Sequence, residues 1–331
     1  MKKPKFAIIS LALSALGVLH AAKPSSALTD PAEAALDPDF GIQGEYAASA
    51  EIGKETGGHG LQVVALGDGK FQAALYKGGL PGSGAESNEF VLLKGETEGD
   101  RTTLKTASGE TVVIAKGKAT GTQGDEKLFS YDRVERKSPT LGKAPNPSIA
   151  TVLFDGAKEI DRFSDGKKLD GELLMEGVVS KDSFGDFILH LEFRTPYKPK
   201  SKPGSQDRGN SGVYIFNNYE TQILDSFGIK GEFNFCGALY RKKPPAVNMC
   251  LPPLAWQTYD VYFTAPRFKD GKKVKNARIT TRHNGVLIHD DFELDKGTGA
   301  GGGRPEKAKG QIHLQGHGNP VRFRNIWLVK K

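Results

Sequence analysis

Cysteine is scarce in this sequence, and several classes of protein are excluded by what the sequence lacks. Two cysteines in 331 residues are too few for a disulfide-dense scaffold, and without a matching histidine pair they make poor zinc ligands. After residue 21 no stretch is apolar enough to span a membrane. The 41 glycines have no period of three, which excludes collagen. The glycine cluster at 78–82 is followed by no Gly-Lys-Ser/Thr helix, which excludes a phosphate loop.

The first 21 residues have the layout of a secretory signal peptide. Lys2, Lys3 and Lys5 precede the apolar run 6–19, which is shorter than the ~18 residues that span a bilayer, and small residues follow. We therefore expect export to the periplasm or the extracellular space. Cleavage after Ala27 is a later alternative, and an uncleaved membrane anchor is the competing interpretation.

Removal of this segment changes what the net charge implies. Cleavage after residue 21 removes three lysines and no acidic residue, so the formal charge falls from +7 to +4. That value is ordinary for a soluble surface. The densest basic stretches, 241–243 and 269–278, carry turn residues and do not resemble a helix presented to a nucleic-acid groove. We expect no nucleic-acid partner.

The remaining chain reads as two β-rich regions without strong helical periodicity. In the first region, 37–135, strand-like runs at 61–66 and 71–76 flank a Gly-Asp-Gly turn and predict a β-hairpin. Residues 136–150 contain three prolines and are the predicted linker. The second region, 151–331, has roughly ten strand-like runs, which is typical of an antiparallel β-sandwich or jelly roll. The sequence thus predicts an all-β protein with a smaller β domain before a sandwich.

A series of short motifs runs through the second region in a fixed order. They are Asp186-Phe187, Glu192-Phe193-Arg194, Gly-Asn-Ser-Gly-Val at 209–213, Tyr-Glu-Thr-Gln-Ile-Leu-Asp-Ser at 219–226, Leu-Gln-Gly-His-Gly at 314–318 and Val-Arg-Phe-Arg-Asn-Ile at 321–326. In order and spacing they resemble the 3-keto-disaccharide hydrolase domain family, also called DUF1080. The resemblance covers about residues 150–331.

The resemblance implies a fold, a substrate class and a reaction. The fold would be a concanavalin A-like lectin/glucanase sandwich, and the protein would be a secreted carbohydrate-active enzyme for sugars oxidised to a ketone at carbon 3. Such a ketone acidifies the neighbouring C2 proton, so a base can remove it and the glycosidic oxygen at C1 leaves by elimination. Water then adds to the product. The site needs a base, a donor for the leaving oxygen and support for the enolate.

Strand alternation supplies candidate site residues independently of the resemblance. Residues two apart in a strand share one face. The faces opposite the apolar ones, if all belong to the open side of one sheet, assemble one polar patch. Its predicted members are His190, Glu192, Arg194, Glu220, Gln222, His313, Gln315 and His317.

The leading candidates for catalysis are Glu220, His317 and Arg194. Glu220 would be the base or acid, His317 would transfer a proton as imidazole side chains commonly do, and Arg194 would support an enolate oxygen. Each has a structural alternative: Glu220 on a solvated face or paired with Arg194, Arg194 in a salt bridge, and His317 in a loop-capping hydrogen bond.

Further residues are predicted to bind substrate, each with a structural alternative. Glu192, Gln222 and Gln315 belong to the polar faces, Asn210 precedes a strand, Trp256 offers a stacking platform, and a loop that could cover the site carries Tyr240 and Arg241. The alternatives are a sheet-surface amide for Gln222, a turn role for Asn210, a half-buried edge aromatic for Trp256 and a solvated loop charge for Arg241.

The acidic residues do not suit ordinary two-carboxylate glycosidase chemistry. Glu220 and Asp225 are five apart, and Asp225 is expected to cap the turn that follows it. Asp291, Glu293 and Asp295 alternate correctly but precede a glycine-rich stretch, so a solvated strand end or a weak Ca²⁺ site is expected there. No cofactor is otherwise predicted, and Ca²⁺ or another divalent metal is left open.

The two cysteines, Cys236 and Cys250, are predicted to form a disulfide in an exported chain, closing 13 intervening residues. The sandwich also serves lectins, so a non-catalytic carbohydrate-binding module is the alternative function. The expected partner is an oligosaccharide or glycoside in either case.

Overall fold

The computed structural model describes residues 27–55, 57–164 and 168–331. The predicted signal peptide, residues 1–21, lies outside them. Two short helices, α1 (Pro31–Ala34) and α2 (Pro38–Ile42), each begin with proline after an aspartate cap. Proline suits the first helical position because its missing N–H would have no partner there. In the described part of the chain, no helix has the length and apolar character needed to cross a membrane.

The first β region closes into a barrel. Its first strand pairs with both the second and the eighth, which leaves no open sheet edge. An interior of this size is filled by side chains, here a core that includes Tyr46, Phe71 and Leu104. The hairpin predicted at 61–66 and 71–76 is confirmed. The strands are β1 (Gly44–Tyr46), β2 (His59–Gly67), β3 (Lys70–Lys77), β4 (Val91–Glu98), β5 (Arg101–Lys105), β6 (Thr111–Ala115), β7 (Lys118–Gln123) and β8 (Glu126–Val134).

The second region forms the predicted antiparallel sandwich. Its strands are β9 (Ala150–Phe154), β10 (Phe163–Ser164), β11 (Leu169–Asp170), β12 (Leu173–Met175), β13 (Val178–Ser180), β14 (Phe187–Arg194), β15 (Ser211–Ile215), β16 (Tyr219–Ile223), β17 (Gln257–Thr264), β18 (Arg267–Lys269), β19 (Lys272–Lys275), β20 (Ala277–His283), β21 (Val286–Leu294), β22 (Ile312–Leu314) and β23 (Arg322–Lys330). Short 3₁₀ helices occupy Ala157–Arg162 and Gly299–Gly303.

Two sheets form the sandwich, and the distribution of strands between them positions the site. The smaller sheet has the order β10-β13-β22-β15-β16, and the larger has β11-β12-β23-β14-β17-β20-β21 with β9 added beside β23. The apolar core lies between them, with alternate residues of β14 facing alternate residues of β15, β16 and β22. The intervening polar residues therefore face outward on opposite sides of the molecule.

The barrel and the sandwich are in direct contact. Arg208 of the sandwich is fully buried, pairs with Asp225 at 2.6 Å, and also donates to the backbone oxygen of Ala65 in the barrel. The first part of the predicted linker lies along the outer face of the larger sheet. There Thr140 Oγ1 donates to Asp260, and the Gly142 amide donates to Glu192.

Candidate functional site

The candidate site is built on the outward face of the smaller sheet, at its edge strand β16. Tyr219 and Ile223 of β16 enter the core, so Glu220 and Gln222 face outward. On the neighbouring strand β15, Gly212 contributes no side chain. A Cβ atom at Gly212 would lie 2.4 Å from Glu220 Oε1 and 3.1 Å from the amide oxygen of Gln315. Glycine at this position therefore lets Glu220 and Gln315 converge over the sheet.

Glu220 is a buried carboxyl that forms no ion pair with any cationic side chain in the described part of the chain. It is 2% exposed, and its Oε2 atom has no hydrogen-bond partner among the described residues. Burial raises the pKa of Glu220 to about 7, although a hydrogen bond with the Tyr214 hydroxyl acts in the opposite direction. The backbone amide of Glu220 donates to Thr298 Oγ1 at 2.7 Å, which anchors the edge strand. A carboxyl with this pKa can accept and return a proton near neutral pH.

Two amides beside Glu220 present unused acceptor oxygens. Gln222 Nε2 donates to Gln206 Oε1 at 3.1 Å and to Asn210 Oδ1 at 3.3 Å, with the Asn234 carbonyl at 3.4 Å. These acceptors fix the orientation of the Gln222 amide. Its Oε1 atom, like that of Gln315, has no partner among the described residues. Unsatisfied buried acceptors are costly, so this set suits a ligand rich in hydroxyl donors.

The predicted loop residues border the same site. The segment 237–240 runs beside β16 and is joined to it by backbone hydrogen bonds. The backbone N–H of Gln222 donates to the Ala238 carbonyl, and the backbone N–H of Tyr240 donates to the Glu220 carbonyl. The Arg241 guanidinium lies 5.5 Å from the centre of the Tyr240 ring. His317 is exposed in the turn after β22, two residues beyond Gln315. The structure therefore brings Glu220, Gln222, Gln315, Asn210, Tyr240, Arg241 and His317 to one side of the sandwich.

The other predicted members lie on the opposite side, so the expectation of a single shared polar face is wrong. Glu192 and Arg194 belong to β14 in the larger sheet, and His190 shares their face. Trp256 lies there too, with the guanidinium of Arg324 at 4.0 Å and that of Arg194 at 5.0 Å from its ring centre. Strand alternation gives the face of each strand but does not determine which sheet the strand joins.

Glu192 is the centre of this second cluster, and both of its carboxylate oxygens accept hydrogen bonds. Burial opposes its ionisation, but His190, whose Nε2 atom lies 3.8 Å away, and hydrogen bonds from Asn325, the Gly142 amide and Arg324 hold the pKa of Glu192 at about 2. Arg194 Nη2 donates to the Thr29 carbonyl, which attaches the segment before α1. These contacts join the N-terminal segment and residues 140–143 to the larger sheet, and they give each Glu192 oxygen a partner.

Other predictions receive structural outcomes. Asp225 accepts from the Phe227 amide, as the capping prediction requires, and also pairs with Arg208, a partner that the sequence did not indicate. Cys236 and Cys250 are both buried thiols, so the predicted disulfide is not formed in the structure. Cys236 Sγ instead lies 3.3 Å from the Tyr259 hydroxyl, which donates to the Gln222 carbonyl.

The acidic stretch at the end of β21 forms ion pairs on the surface. Asp291 and Glu293 pair with Arg278 at 2.7 and 3.0 Å, and Asp295 pairs with Lys242. Among the described residues, no group of three or more histidine, cysteine, aspartate or glutamate side chains is arranged to hold a metal ion. The solvated strand end is the alternative that these contacts favour over Ca²⁺.

Sequence reasoning missed the residues that shape the site around Glu220. The pairing of β15 with β16 places Gly212 and Tyr214 at the site. In this register Tyr214 is opposite Glu220, and Gly212 is opposite Gln222. Thr298 comes from a distant loop. The alternation Gly-x-Tyr beside a β-turn was the available signal for the first two, but it acquires meaning only when the pairing of β15 with β16 is known.

This geometry defines the class of protein. It is a concanavalin A-like β-sandwich that carries a buried carboxyl and free amide acceptors on one sheet face. The sequence profile of the 3-keto-alpha-glucoside-1,2-lyase-like domain matches residues 150–329, which is more than half of the chain. The chain therefore belongs to that family. No protein with a curated description matches it.

Solved structures also resemble the sandwich. A protein from Parabacteroides distasonis ATCC 8503, provisionally described as a glycosyl hydrolase, is 30% identical with a TM-score of 0.50, over 56% of this chain and 84% of that chain. Two further crystal structures from the same organism carry the same description. They are 16% and 22% identical, with TM-scores of 0.39 and 0.36, over 56% and 55% of this chain and 94% and 99% of theirs.

Proposed function

We propose that the protein is an exported enzyme that cleaves 3-keto-glycosides by elimination and subsequent hydration. The observation that carries the proposal is Glu220, a buried carboxyl with a free oxygen and a pKa of about 7. Family membership supports the substrate class. Export is supported by the signal-like sequence of residues 1–21.

The proposed reaction assigns a role to each part of the site. Glu220 Oε2 takes the C2 proton, and the electron pair moves into the ketone to give the C3 enolate. The enolate then expels the C1 oxygen, which leaves as an alcohol after protonation by the Glu220 carboxylic acid. Water adds to the resulting enone, with hydroxyl at C1 and a proton at C2, so the sum is hydrolysis. A base with a pKa near the working pH is suited to both proton transfers.

The surrounding side chains would hold the sugar and stabilise charge. The free oxygens of Gln222 and Gln315 accept hydrogen bonds from sugar hydroxyls. The Tyr240 hydroxyl and the Arg241 guanidinium are the donors that we assign to the enolate, and His317 at the rim would assist protonation of the leaving oxygen. Donors directed at a developing oxyanion typically supply several kcal/mol.

The test compares oxidised with unoxidised glycosides. We expect purified protein to cleave 3-keto-glucosides and not glucosides, and to exchange deuterium from D₂O into C2. Glu220→Gln should lose at least about a hundredfold in kcat, because the amide cannot accept the proton. Glu293→Gln, an exposed carboxylate on β21, is the matched control. Turnover that persists in Glu220→Gln, or cleavage without C2 exchange, would contradict the mechanism.

The alternative is a carbohydrate-binding module, which the unused acceptors of Gln222 and Gln315 favour equally. Binding of glycosides without any turnover, lost in Gln222→Ala and Gln315→Ala, would support that function. Trp256→Ala is not informative for this purpose because Trp256 lies on the opposite side of the sandwich from Glu220.

A further inference from the structure

A cavity of about 500 Å³ opens on the same sheet face as Glu220. It is lined by residues of four neighbouring elements: strand β13, the turn between β15 and β16, strand β22, and the loop after the 3₁₀ helix Gly299–Gly303. The lining residues are Val179, Phe216, Asn217, Asn218, Arg304, Pro305, Lys307 and His313. None of these described residues is acidic, whereas two carry a permanent positive charge.

The cationic side chains have no acidic partner in the described part of the chain. Arg304 uses Nη1 to donate to the Asn217 carbonyl at 2.8 Å, and neither Arg304 nor Lys307 has a described carboxylate within ion-pair distance. The neighbouring Glu306 points elsewhere, because its carboxylate contacts Lys273 and Tyr219. Two cations without an anionic partner create a positive potential in the cavity, and this potential favours binding of an anion.

The turn between β15 and β16 fixes the cavity wall. Phe216 and Asn217 adopt left-handed backbone angles, φ 60° and 57°, which are uncommon for residues other than glycine. This conformation lets Asn217 contact two cavity residues, since its side-chain oxygen lies 3.0 Å from His313 Nδ1 and its carbonyl accepts from Arg304. The cavity is therefore held by a strained turn with specific hydrogen bonds, not by mobile side chains alone.

The cavity adjoins the Glu220 site through one residue, Tyr214. In the sheet register His313 is opposite Tyr214, and Tyr214 is opposite Glu220. The rings of Tyr214 and His313 stack with centroids 5.8 Å apart. Because neighbouring strands are ~4.8 Å apart, the two outer members of this row are separated by about 10 Å. That distance exceeds one pyranose ring, so a group in the cavity belongs to the part of a substrate beyond the reacting sugar.

The positive electrostatic potential of the cavity affects the pKa of His313. Burial, Arg304, His317 and Lys168 together lower the pKa of His313. His313 is therefore neutral near pH 7, and the positive charge of the cavity comes from the permanently charged side chains. Lys168 is held close by its bond to the Gly177 carbonyl at 2.9 Å.

We propose that this cavity binds an anionic group on the leaving group of the glycoside, such as a carboxylate. The inference rests on the proposed function for its reacting site and adds a substrate class to it. Arg304 would contribute a planar guanidinium that matches a carboxylate, and Lys307 a second charge. The preferred substrates are then acidic glycosides whose charge lies about one ring beyond the cleaved bond.

The experiment compares leaving groups that differ in charge and little in shape. The 3-keto-glucosides of 4-carboxyphenol and 4-carbamoylphenol form one pair, and a 3-keto-glucuronide with the neutral leaving group places the charge on the reacting ring instead. We expect kcat/KM for the carboxyphenyl compound to be higher by about tenfold or more at low salt, falling towards the neutral value in 0.5 M NaCl. The double variant Arg304→Gln/Lys307→Gln should bring the ratio within about twofold of one.

The matched control removes the same charges from the barrel. Arg101→Gln/Lys105→Gln, on the exposed face of β5, should keep the parent ratio. A ratio near one in the parent protein, a ratio unchanged in the cavity variant, or a preference only for the glucuronide would each overturn the proposal.

The inference can also be tested if the proposed chemistry is wrong. Calorimetric binding of the unoxidised 4-carboxyphenyl and 4-carbamoylphenyl glucosides needs no turnover. Tighter binding of the carboxylate in the parent and not in the cavity variant supports the anion site even for a lectin-like protein. Equal binding of both compounds in a protein that turns over 3-keto-glucosides would contradict the anion site and leave the proposed function intact.

Discussion

The carboxylate of Glu220 lies directly over the α-carbon of Gly212, in space that any other residue would fill. A Cβ atom at position 212 would be 2.4 Å from Glu220 Oε1 and 3.0 Å from its Cγ. Real Cβ contacts are not this short, so a side chain at position 212 must displace Glu220. The absence of one side chain thus fixes the position of the proposed base.

Gly212→Ala should therefore remove activity while preserving the fold. The backbone at Gly212 does not need a positive φ, so alanine is compatible with the strand. We expect kcat to fall at least about tenfold, since a displacement of about 1 Å at a reacting group can cost a hundredfold. Thermal unfolding should shift by only a few degrees.

The control for this variant is Gly41→Ala in α2, where nothing lies within 4 Å of the added atom. It should keep full activity and unfold at or slightly above the parent temperature, because alanine favours helix. A Gly212→Ala protein with parental kcat would show that the position of Glu220 over Gly212 is not needed for turnover.

The pKa of Glu220 predicts the pH dependence of the reaction. Burial raises this pKa to about 7, and the base must be ionised to accept the C2 proton. The value of kcat/KM should therefore rise with pH, with a slope of one proton below about pH 7, and then level off. A rate that falls as pH rises from 6 to 8 would instead identify Glu220 as an acid in the rate-limiting step.

The same shift predicts a cost in stability. In the unfolded chain Glu220 ionises near pH 4.5, but in the folded protein it keeps its proton to about pH 7. The contribution of Glu220 to the free energy of unfolding is fully present below pH 4.5. It falls by about 3 kcal/mol as the pH rises to about 7. Glu220→Gln has no such loss, so its stability relative to the parent should increase between pH 4.5 and 7. Denaturant unfolding at several pH values measures the difference.

The sequence predicted most of the site residues that lie around Glu220, but it also assigned to the site residues of the opposite sheet. The reason is that strand alternation reports only the face of each strand. The apolar pattern of Tyr219 and Ile223 correctly placed Glu220 and Gln222 on an outward face. The same reasoning placed Arg194 outward, also correctly, but the outward faces of β14 and β16 belong to different sheets. Periodicity is local, whereas membership of a sheet depends on pairing between distant strands.

The barrel and the wall residues illustrate the same limit. The hairpin at 61–66 and 71–76 could be predicted because turn residues mark it. Closure requires β1 to pair with β8 across about 90 residues, which no local pattern encodes. Likewise, the backbone N–H of Glu220 donates to the hydroxyl of Thr298, which is 78 residues away in the sequence.

Trp256 should be important for stability and not for turnover. Its ring lies 4.0 Å from the Arg324 guanidinium and 5.0 Å from that of Arg194, on the sheet opposite to Glu220. Each cation–π contact contributes about 0.5–2 kcal/mol, so Trp256→Ala should lower the free energy of unfolding by about 2–4 kcal/mol, including lost packing. We expect kcat/KM within twofold of the parent at a temperature where both are folded. A selective loss of substrate binding would return Trp256 to the site.

Two buried histidines predict the acid limit of the fold. His283 donates from Nε2 to Gln257 Oε1, and His289 donates to the Gly237 carbonyl, while each Nδ1 has no partner among the described residues. Burial lowers the pKa of His283 to about 3 and that of His289 to about 4. The folded protein therefore keeps both neutral while the unfolded chain binds protons below about pH 6.5.

Stability from these two residues is present above pH 6.5 and is lost as pH falls towards 4. Each contributes a slope of about 1.4 kcal/mol per pH unit in that window. His283→Gln or His289→Gln should reduce the slope by one proton, whatever its effect on stability at neutral pH, and above pH 7 the slopes of variant and parent should coincide. Unfolding in urea between pH 4 and 8 gives these slopes directly. Parallel curves for parent and variants below pH 6 would show that other groups cause acid unfolding, with Glu192, whose pKa is about 2, as the next to substitute.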